Sequence, residues 1–245
     1  MSQKLGNYYL QNWEEYYQSV SSRPEDIPWD VDPEIAIRLD ISLMREYFNP
    51  QLPVVDVGCG IGTQTKVLNR EFLNVIGTDI SEEAIRIAKD KFSGEGLTFS
   101  QLDILNFEQV QSFHEGVGDC NIYMRGTLQQ ILLQDRGQFT DAIKKILGTD
   151  GCIYFIELSD EAKNFFFRLR LKLGDFPPQL KRVLSEKVTE LVGVSLNDVE
   201  EIFPVENFTH LQKGRSTIAL KLSAEQYVNV PAVYGVLKAN LLADK

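Results

Sequence analysis

Basic charge is what this sequence most plainly lacks. Lysine and arginine total 25 against 35 aspartates and glutamates, for a formal charge of −10. A general nucleic-acid binder needs a basic surface that displaces phosphate counterions, so no nucleic-acid partner is expected. Cysteine is scarce too. Cys59, Cys120 and Cys152 form no Cys-x-x-Cys pair and no metal-ligand spacing, so no metal site is expected. An odd count reads as a reduced, cytoplasmic protein, with Cys120 and Cys152 as small buried hydrophobes. The start, MSQKLGNYYLQNW, has no apolar stretch after a basic one and is not read as a secretory leader. No apolar run approaches the roughly 20 residues that span a bilayer, so no membrane partner is expected. Histidine is nearly missing: His114 and His210 are the two.

What is present is ordinary globular material, 245 residues of which 43% are apolar. That suits one large α/β domain, or a domain with a cap. Residues 1–32 are rich in aromatics and acids and read as a helix followed by a loop. An amphipathic helix is expected from Pro33 to Phe48, stopped by Asn49-Pro50. Strands and helices then alternate. Strands are expected at Pro53–Val57, Asn74–Thr78, Leu97–Leu102, Cys120–Met124 and Cys152–Leu158. Helices are expected at Thr63–Phe72, Ser81–Lys91, Phe107–Phe113 and Asp135–Leu147. Glu82 and Glu83 suit the positive start of their helix, and Gly148 ends the last one. After Leu158 the rhythm changes. Residues 160–191 read as helical with a break near Gly174–Pro178, and Ser195–Phe203 as a further helix. Strands follow at Phe208–Gln212 and at Ala232–Leu237. The alternative for the last is Thr217–Leu222, closing a tight hairpin across Lys213-Gly214-Arg215. The rhythm implies an α/β fold, a doubly wound and mainly parallel seven-stranded sheet with helices on both faces.

The stretch Asp56-Val57-Gly58-Cys59-Gly60-Ile61-Gly62 joins the first strand to the next helix. Its spacing is G-x-G-x-G, with Thr63 where a dinucleotide fingerprint wants its third glycine. Asp56 at the strand's carboxyl end would repel a pyrophosphate and suits a ligand carrying an ammonium and a sulfonium. Glycines at 58 and 60 permit close backbone approach. Asp79 lies 21 positions after Gly58, close to the roughly 20 expected for a ribose-binding acid. Asp103, after the third strand, can accept from an adenine amino group, and Ile80 and Ile104 can sandwich the ring. One such acid alone is equally well a helix cap or a solvated loop residue. Three at successive strand ends point to an adenosine site.

The stretches VVDVGCGIGT (54–63), VIGTDIS (75–81), FSQLDIL (99–105), DCNIYMRGTLQQI (119–131) and AIKKILGTDGCIYFIEL (142–158) resemble a class I, Rossmann-like S-adenosylmethionine-dependent methyltransferase. They are specific for cofactor and fold and nearly silent on substrate. The resemblance implies S-adenosyl-L-methionine as cofactor and S-adenosyl-L-homocysteine as product. It implies the methionine end on Gly58, Gly60 and Gly62, the ribose on Asp79 and adenine on Asp103. Ile27-Pro28-Trp29-Asp30 resembles the segment leading into the core of thiopurine- and tellurite-resistance-type small-molecule methyltransferases, where an aromatic lid covers the cofactor. Trp29 serves equally well as a core anchor for the first helix.

Methyl transfer is an in-line displacement for which the cofactor carries the reactive group, so the protein mainly positions and desolvates. Candidates to touch the reacting groups follow the fourth strand: Arg125, Thr127, Gln129 and Gln130. Many small-molecule and O-methyltransferases carry a histidine there. Its absence puts a histidine base in doubt, and His114 precedes the fourth strand, at the wrong end of the sheet. Arg125 suits the methionine carboxylate, an acidic acceptor or a structural ion pair.

The expected organisation is one domain: lid helices at 1–50, a cofactor core at 51–158, a helical insert at 159–205 and C-terminal strands at 206–245. The insert carries Phe165, Phe166 and Phe167 with Lys163, Arg168, Arg170, Lys172, Lys181, Arg182 and Lys187. It reads as an acceptor lid, with most of those cations on a solvated face. The leading expectation is a small-molecule acceptor. A nucleic-acid amino-methyltransferase would show an Asp/Asn-Pro-Pro-aromatic motif after the fourth strand, whereas Pro177-Pro178 follows the fifth. A protein methyltransferase and a non-catalytic cofactor-binding protein are the remaining alternatives. A nicotinamide oxidoreductase fails on glycine spacing and on Asp56.

Overall fold

A computed structural model describes residues 2–23, 26–185 and 193–240. Lys187 therefore lies outside the described residues, as do the last residues of the insert's expected helix. Helix α1 (Ser2–Val20) leads into α2 (Pro33–Ala36) and α3 (Arg38–Tyr47). Then β1 (Val54–Val57), α4 (Thr63–Glu71), β2 (Val75–Asp79), α5 (Glu82–Lys91), β3 (Leu97–Gln101), α6 (Phe107–Val117), β4 (Asn121–Arg125), α7 (Arg136–Leu147) and β5 (Cys152–Leu158) alternate. Helices α8 (Ala162–Leu173), α9 (Pro178–Ser185) and α10 (Leu196–Ile202) precede the hairpin of β6 (Phe208–Lys221) and β7 (Tyr227–Ala239).

The sheet has seven strands in the order β3-β2-β1-β4-β5-β7-β6. The pairs from β3 to β5 are parallel, and β7 runs antiparallel to both β5 and β6, so the sheet is mixed. Strands β1 and β5 are buried at every position. Burial at every position marks strands covered on both faces, with Asp56 and Glu157 as the acids within them. The chain's direction of travel across the sheet reverses between β1 and β4, and a crevice opens at the carboxyl ends of strands flanking such a switch.

Two expectations need correction. The expected last strand, Ala232–Leu237, lies inside β7; the strand expected to stop at Gln212 runs on through Lys213-Gly214-Arg215 to Lys221, so the alternative tight hairpin does not form and the turn lies at residues 222–226. Gly214 pairs opposite Tyr234, and a Cβ there would sit 2.8 Å from the tyrosine ring. The glycine makes room for a ring rather than bending the chain. The expected single helix from Pro33 to Phe48 is broken at Ile37 (φ −124°, ψ 8°). There the Ala36 carbonyl accepts a hydrogen bond from Arg125 Nη1 at 2.9 Å instead of continuing the helical ladder.

Among the described residues no helix is long and apolar enough to cross a membrane. Nor is there a cluster of three or more histidine, cysteine, aspartate or glutamate side chains able to hold a metal ion.

Candidate active site

The turn after β1 has three glycines with positive φ: Gly58 at 75°, Gly60 at 54° and Gly62 at 79°. Side chains are rarely found there. The Gly58 and Cys59 amides donate to the Thr78 carbonyl at 2.8 and 2.9 Å, which seats the turn against β2. A Cβ on Gly58 would meet Thr127 Oγ1 at 2.3 Å, and one on Gly60 would meet the Tyr17 hydroxyl at 2.7 Å. The turn is thus enclosed by the loop after β4 on one side and by α1 on the other. Gly58 lines the cavity; Gly60 and Gly62 do not, because Tyr17 and Phe99 occupy the space beside them.

The three acids lie on one cavity wall. Asp56 Oδ2 accepts from Thr65 Oγ1 at 2.6 Å. Burial pushes its carboxyl up to about 7, and Asp79 adds to the rise, while Thr65 and Arg125 oppose it. Asp79 accepts from the Gly60 amide at 2.9 Å and the Ser81 amide at 3.0 Å. Burial pushes it up to about 6 against those amides. It therefore fixes the glycine turn and the start of α5 while keeping lone pairs for a ligand. Asp103 Oδ1 accepts the Leu105 amide at 2.9 Å, and burial raises its carboxyl as well. Ile80 and Ile104 line the same stretch.

Helix α1 closes this end. Trp13 and Tyr17 line the cavity with Trp29, and Trp29 stacks on Tyr16 with centroids 5.2 Å apart. The Trp29 indole also donates to the Tyr17 hydroxyl, so Trp29 is both core anchor and cavity wall. Two polar clips hold the helix down. Tyr9 donates to Asp135 at 2.7 Å and accepts from the Leu132 amide at 3.0 Å. Glu14 accepts from the Ser81 hydroxyl at 2.7 Å and the Glu83 amide at 3.2 Å.

The expected chemistry candidates divide. Thr127 Oγ1 donates to the Val57 carbonyl at 3.0 Å, and Gln129 Oε1 accepts the Leu158 amide at 2.9 Å. Both line the cavity, and both are committed to holding the loop. Arg125 differs. Its Nη1 bonds to Ala36, while its Nη2 is buried with no partner among the described residues. Gln64 Nε2 and Gln130 Oε1 are likewise buried, unpartnered and on cavity-lining residues. Buried polar atoms normally have partners, so three orphans around one cavity mark where a polar ligand completes the set.

His114 bonds to Asp119 at 3.0 Å and His210 to the Phe203 carbonyl at 2.6 Å, and neither lines the cavity. Three residues escaped the sequence reading. Asp40 is buried between the Tyr154 hydroxyl at 2.6 Å, the Tyr123 hydroxyl at 3.3 Å and Arg125 at 3.9 Å. It falls on the apolar face of α3 with Ile37, Ile41 and Met44, and an acid on that face was the available signal. Glu157, the one charge in CIYFIEL, was another. Glu14, on an exposed-looking acidic helix, gave none.

Toward the β5–β6 side of the sheet the cavity lining is apolar: Leu158, Phe166, Leu180, Leu184, Ile218 and Leu220, supplied by β5, α8, α9 and β6. The same cavity takes in the three acids, and it opens to solvent.

A family model described as a methyltransferase domain matches residues 54–151. The solved structure of a SAM-dependent methyltransferase from Anabaena variabilis superposes with a TM-score of 0.87 at 33% identity, covering 94% of this chain and 95% of that one. An uncharacterized protein of Methanocaldococcus jannaschii is 32% identical over 100 residues, 38% of this chain, and the match spans only 37% of that relative's length. A structure described by the conversion of a disulfide bond into a thioacetal group during echinomycin biosynthesis superposes with a TM-score of 0.67. It covers 89% of this chain and 86% of that one, and at 18% identity the likeness concerns fold alone.

Proposed function

The chain belongs to the S-adenosylmethionine-dependent methyltransferases, and on that premise we propose that its acceptor is a small, largely apolar molecule methylated inside the cavity. One observation carries this reading. A single cavity is lined by three carboxylates at the ends of β1 to β3 and by six apolar side chains toward the β5–β6 side, with α1, α8 and α9 contributing to its wall.

The residues fit the cofactor. Its ammonium and carboxylate match Asp56 and Arg125, which stand at the ends of the adjacent strands β1 and β4. Its ribose hydroxyls match the free lone pairs of Asp79. Its adenine matches Asp103 between Ile80 and Ile104, with Trp29 on the lid. The glycine turn serves by close approach at Gly58; Gly60 and Gly62 shape the turn and admit Tyr17 and Phe99. The bound cofactor supplies an electrophilic methyl on a sulfonium. The protein's task is then to align the acceptor for in-line attack and to exclude water. Thr127 and Gln129 act by holding the loop beside the reacting atoms, and the acceptor is methylated without a histidine base. Residues 1–50 serve as the cofactor lid and 159–205 as the acceptor lid.

Transfer of labelled methyl from S-adenosylmethionine to panels of small apolar nucleophiles, proteins and nucleic acids tests the proposal. Labelling in the small-molecule panel is expected. Labelling confined to a macromolecule overturns it. Calorimetry with S-adenosylmethionine and NADH checks the premise separately, because NADH should not bind.

A further inference from the structure

Glu157 lies at the carboxyl end of β5 and is fully buried. Its Oε1 accepts the Thr127 and Leu128 amides, both at 3.0 Å, and its Oε2 accepts the Gln129 amide at 3.2 Å. The next residue, Leu158, donates its amide to Gln129 Oε1 at 2.9 Å. Thr127 Oγ1 bonds to the Val57 carbonyl at 3.0 Å. The short helical turn Leu128–Gln130 is therefore tied to β5 at its start and to β1 beside it. One carboxylate on three successive amides is a strong, directional hold.

That hold fixes Gln130, the last residue of the turn. Its amide oxygen is buried, has no donor among the described residues, and belongs to a residue that lines the cavity. The chain beyond it is pinned as well, since the Leu132 amide donates to Tyr9 Oη at 3.0 Å. Tyr9, Ile104, Leu105 and Ile131 all line the cavity. They supply the flat apolar surroundings a purine ring requires. Of the cofactor's hydrogen-bond donors, the ammonium has Asp56 and the ribose hydroxyls have Asp79. The adenine amino group carries two hydrogens, and Asp103 needs only one.

We propose that Glu157 is a positioning residue for cofactor recognition: it fixes the turn Thr127–Gln130 so that the Gln130 amide oxygen accepts one adenine amino hydrogen while Asp103 accepts the other. The proposal rests on the placement of the cofactor along the three acids given above.

The probe pair is S-adenosylhomocysteine and S-inosylhomocysteine, in which a carbonyl oxygen replaces the amino group. Calorimetry on the full chain gives both Kd values. Gln130→Ala should weaken S-adenosylhomocysteine about tenfold, the usual scale of one lost hydrogen bond, and leave S-inosylhomocysteine unchanged or tighter. Glu157→Gln, nearly isosteric, should shift the same ratio in the same direction by a smaller factor. The double variant should do no worse than the stronger single one, because both act on one contact. A purely structural Glu157 would lower Tm and leave the ratio of the two affinities alone. Should Glu157→Gln not fold, Glu157→Asp carries the same readout. Equal losses on both probes, no loss on either, or additive effects in the double variant would overturn the proposal. Failure of the unaltered chain to bind either probe would instead overturn the cofactor placement itself.

Discussion

At the ends of β1, β2 and β3 the cavity wall carries Asp56, Asp79 and Asp103; under α8, α9 and β6 it carries Phe166, Leu180 and Ile218. At the first end each acid already serves the protein. Asp56 holds Thr65, Asp79 holds the glycine turn and α5, and Asp103 holds its own loop. At the second end the lining side chains do nothing directional. A ligand recognised through charge and hydrogen bonds demands particular residues at particular strand ends. A ligand recognised by exclusion of water accepts many apolar sets of similar volume. The difference explains why the cofactor was nameable and the acceptor was not.

Asp79 is where that comparison breaks hardest. Removing its carboxylate orphans the Gly60 and Ser81 amides as well as any ligand hydroxyl. Two buried donors left unpaired cost about 1–3 kcal/mol each. In Asp79→Ala that cost falls on the fold with or without ligand and should lower Tm; the lost charge-assisted hydrogen bonds to the ligand, about 1.5–3 kcal/mol, should weaken S-adenosylmethionine by about 10- to 100-fold in calorimetry. Asp79→Asn, which still offers one acceptor oxygen, should lose about tenfold. Equal, small losses for both variants would mean that the acid does not organise this end.

Acidity separates the two ends next. Burial pushes Asp56 up to about 7 and Asp79 up to about 6, from an ordinary 3.8. The apolar end has no counterpart. A group raised in the fold favours folding fully below its unfolded value, and that contribution is lost as pH rises through the folded value. The ligand-free protein should thus lose stability between pH 4 and about 8 from these groups. A cationic cofactor favours the ionised acids, so its affinity should rise over the same interval, by about tenfold for one charge gained. Thermal scans and titrations across pH should show these opposite slopes. Parallel slopes would remove the acids from cofactor binding.

The same contrast governs what was legible in the sequence. Strands β1 to β5 and their helices follow alternating apolar runs and glycine stops, and their interiors matched. Ala232–Leu237 lies inside β7, whereas the strand expected to stop at Gln212 runs on to Lys221, because Gly214 is a gap for the Tyr234 ring and not a turn. The helix after Pro33 was misjudged because its break depends on Arg125, some 89 residues away. Asp56, Asp79 and Asp103 stood out because strand ends converge on the crevice at a topological switch. Asp40 and Glu157 did not, because each works through partners that only the folded chain brings near.

Phe166 probes the apolar end. It is 4% exposed and meets Phe165 and Phe176 edge-on. Phe166→Leu should cost about 1–2 kcal/mol of stability through an imperfectly refilled site. Cofactor Kd should stay within about twofold, whereas acceptor KM should change. A cofactor loss as large as the acceptor effect would mean that the two ends are not separable.

The smallest effect expected is on the outer face of α8. Its cations read either as a solvated face or as recognition for an acidic acceptor. Arg170 already has a partner, Asp175 at 3.4 Å, which Lys181 of α9 also reaches at 2.7 Å. Lys163 and Arg168 are exposed, and neither lines the cavity. Exposed charges away from a site change stability by no more than about 0.5 kcal/mol. Lys163→Ser with Arg168→Ser should therefore leave Tm, cofactor Kd and acceptor KM within error. A raised KM confined to carboxylate-bearing acceptors would move α8's outer face into recognition, and the apolar end would no longer be the whole of the acceptor site.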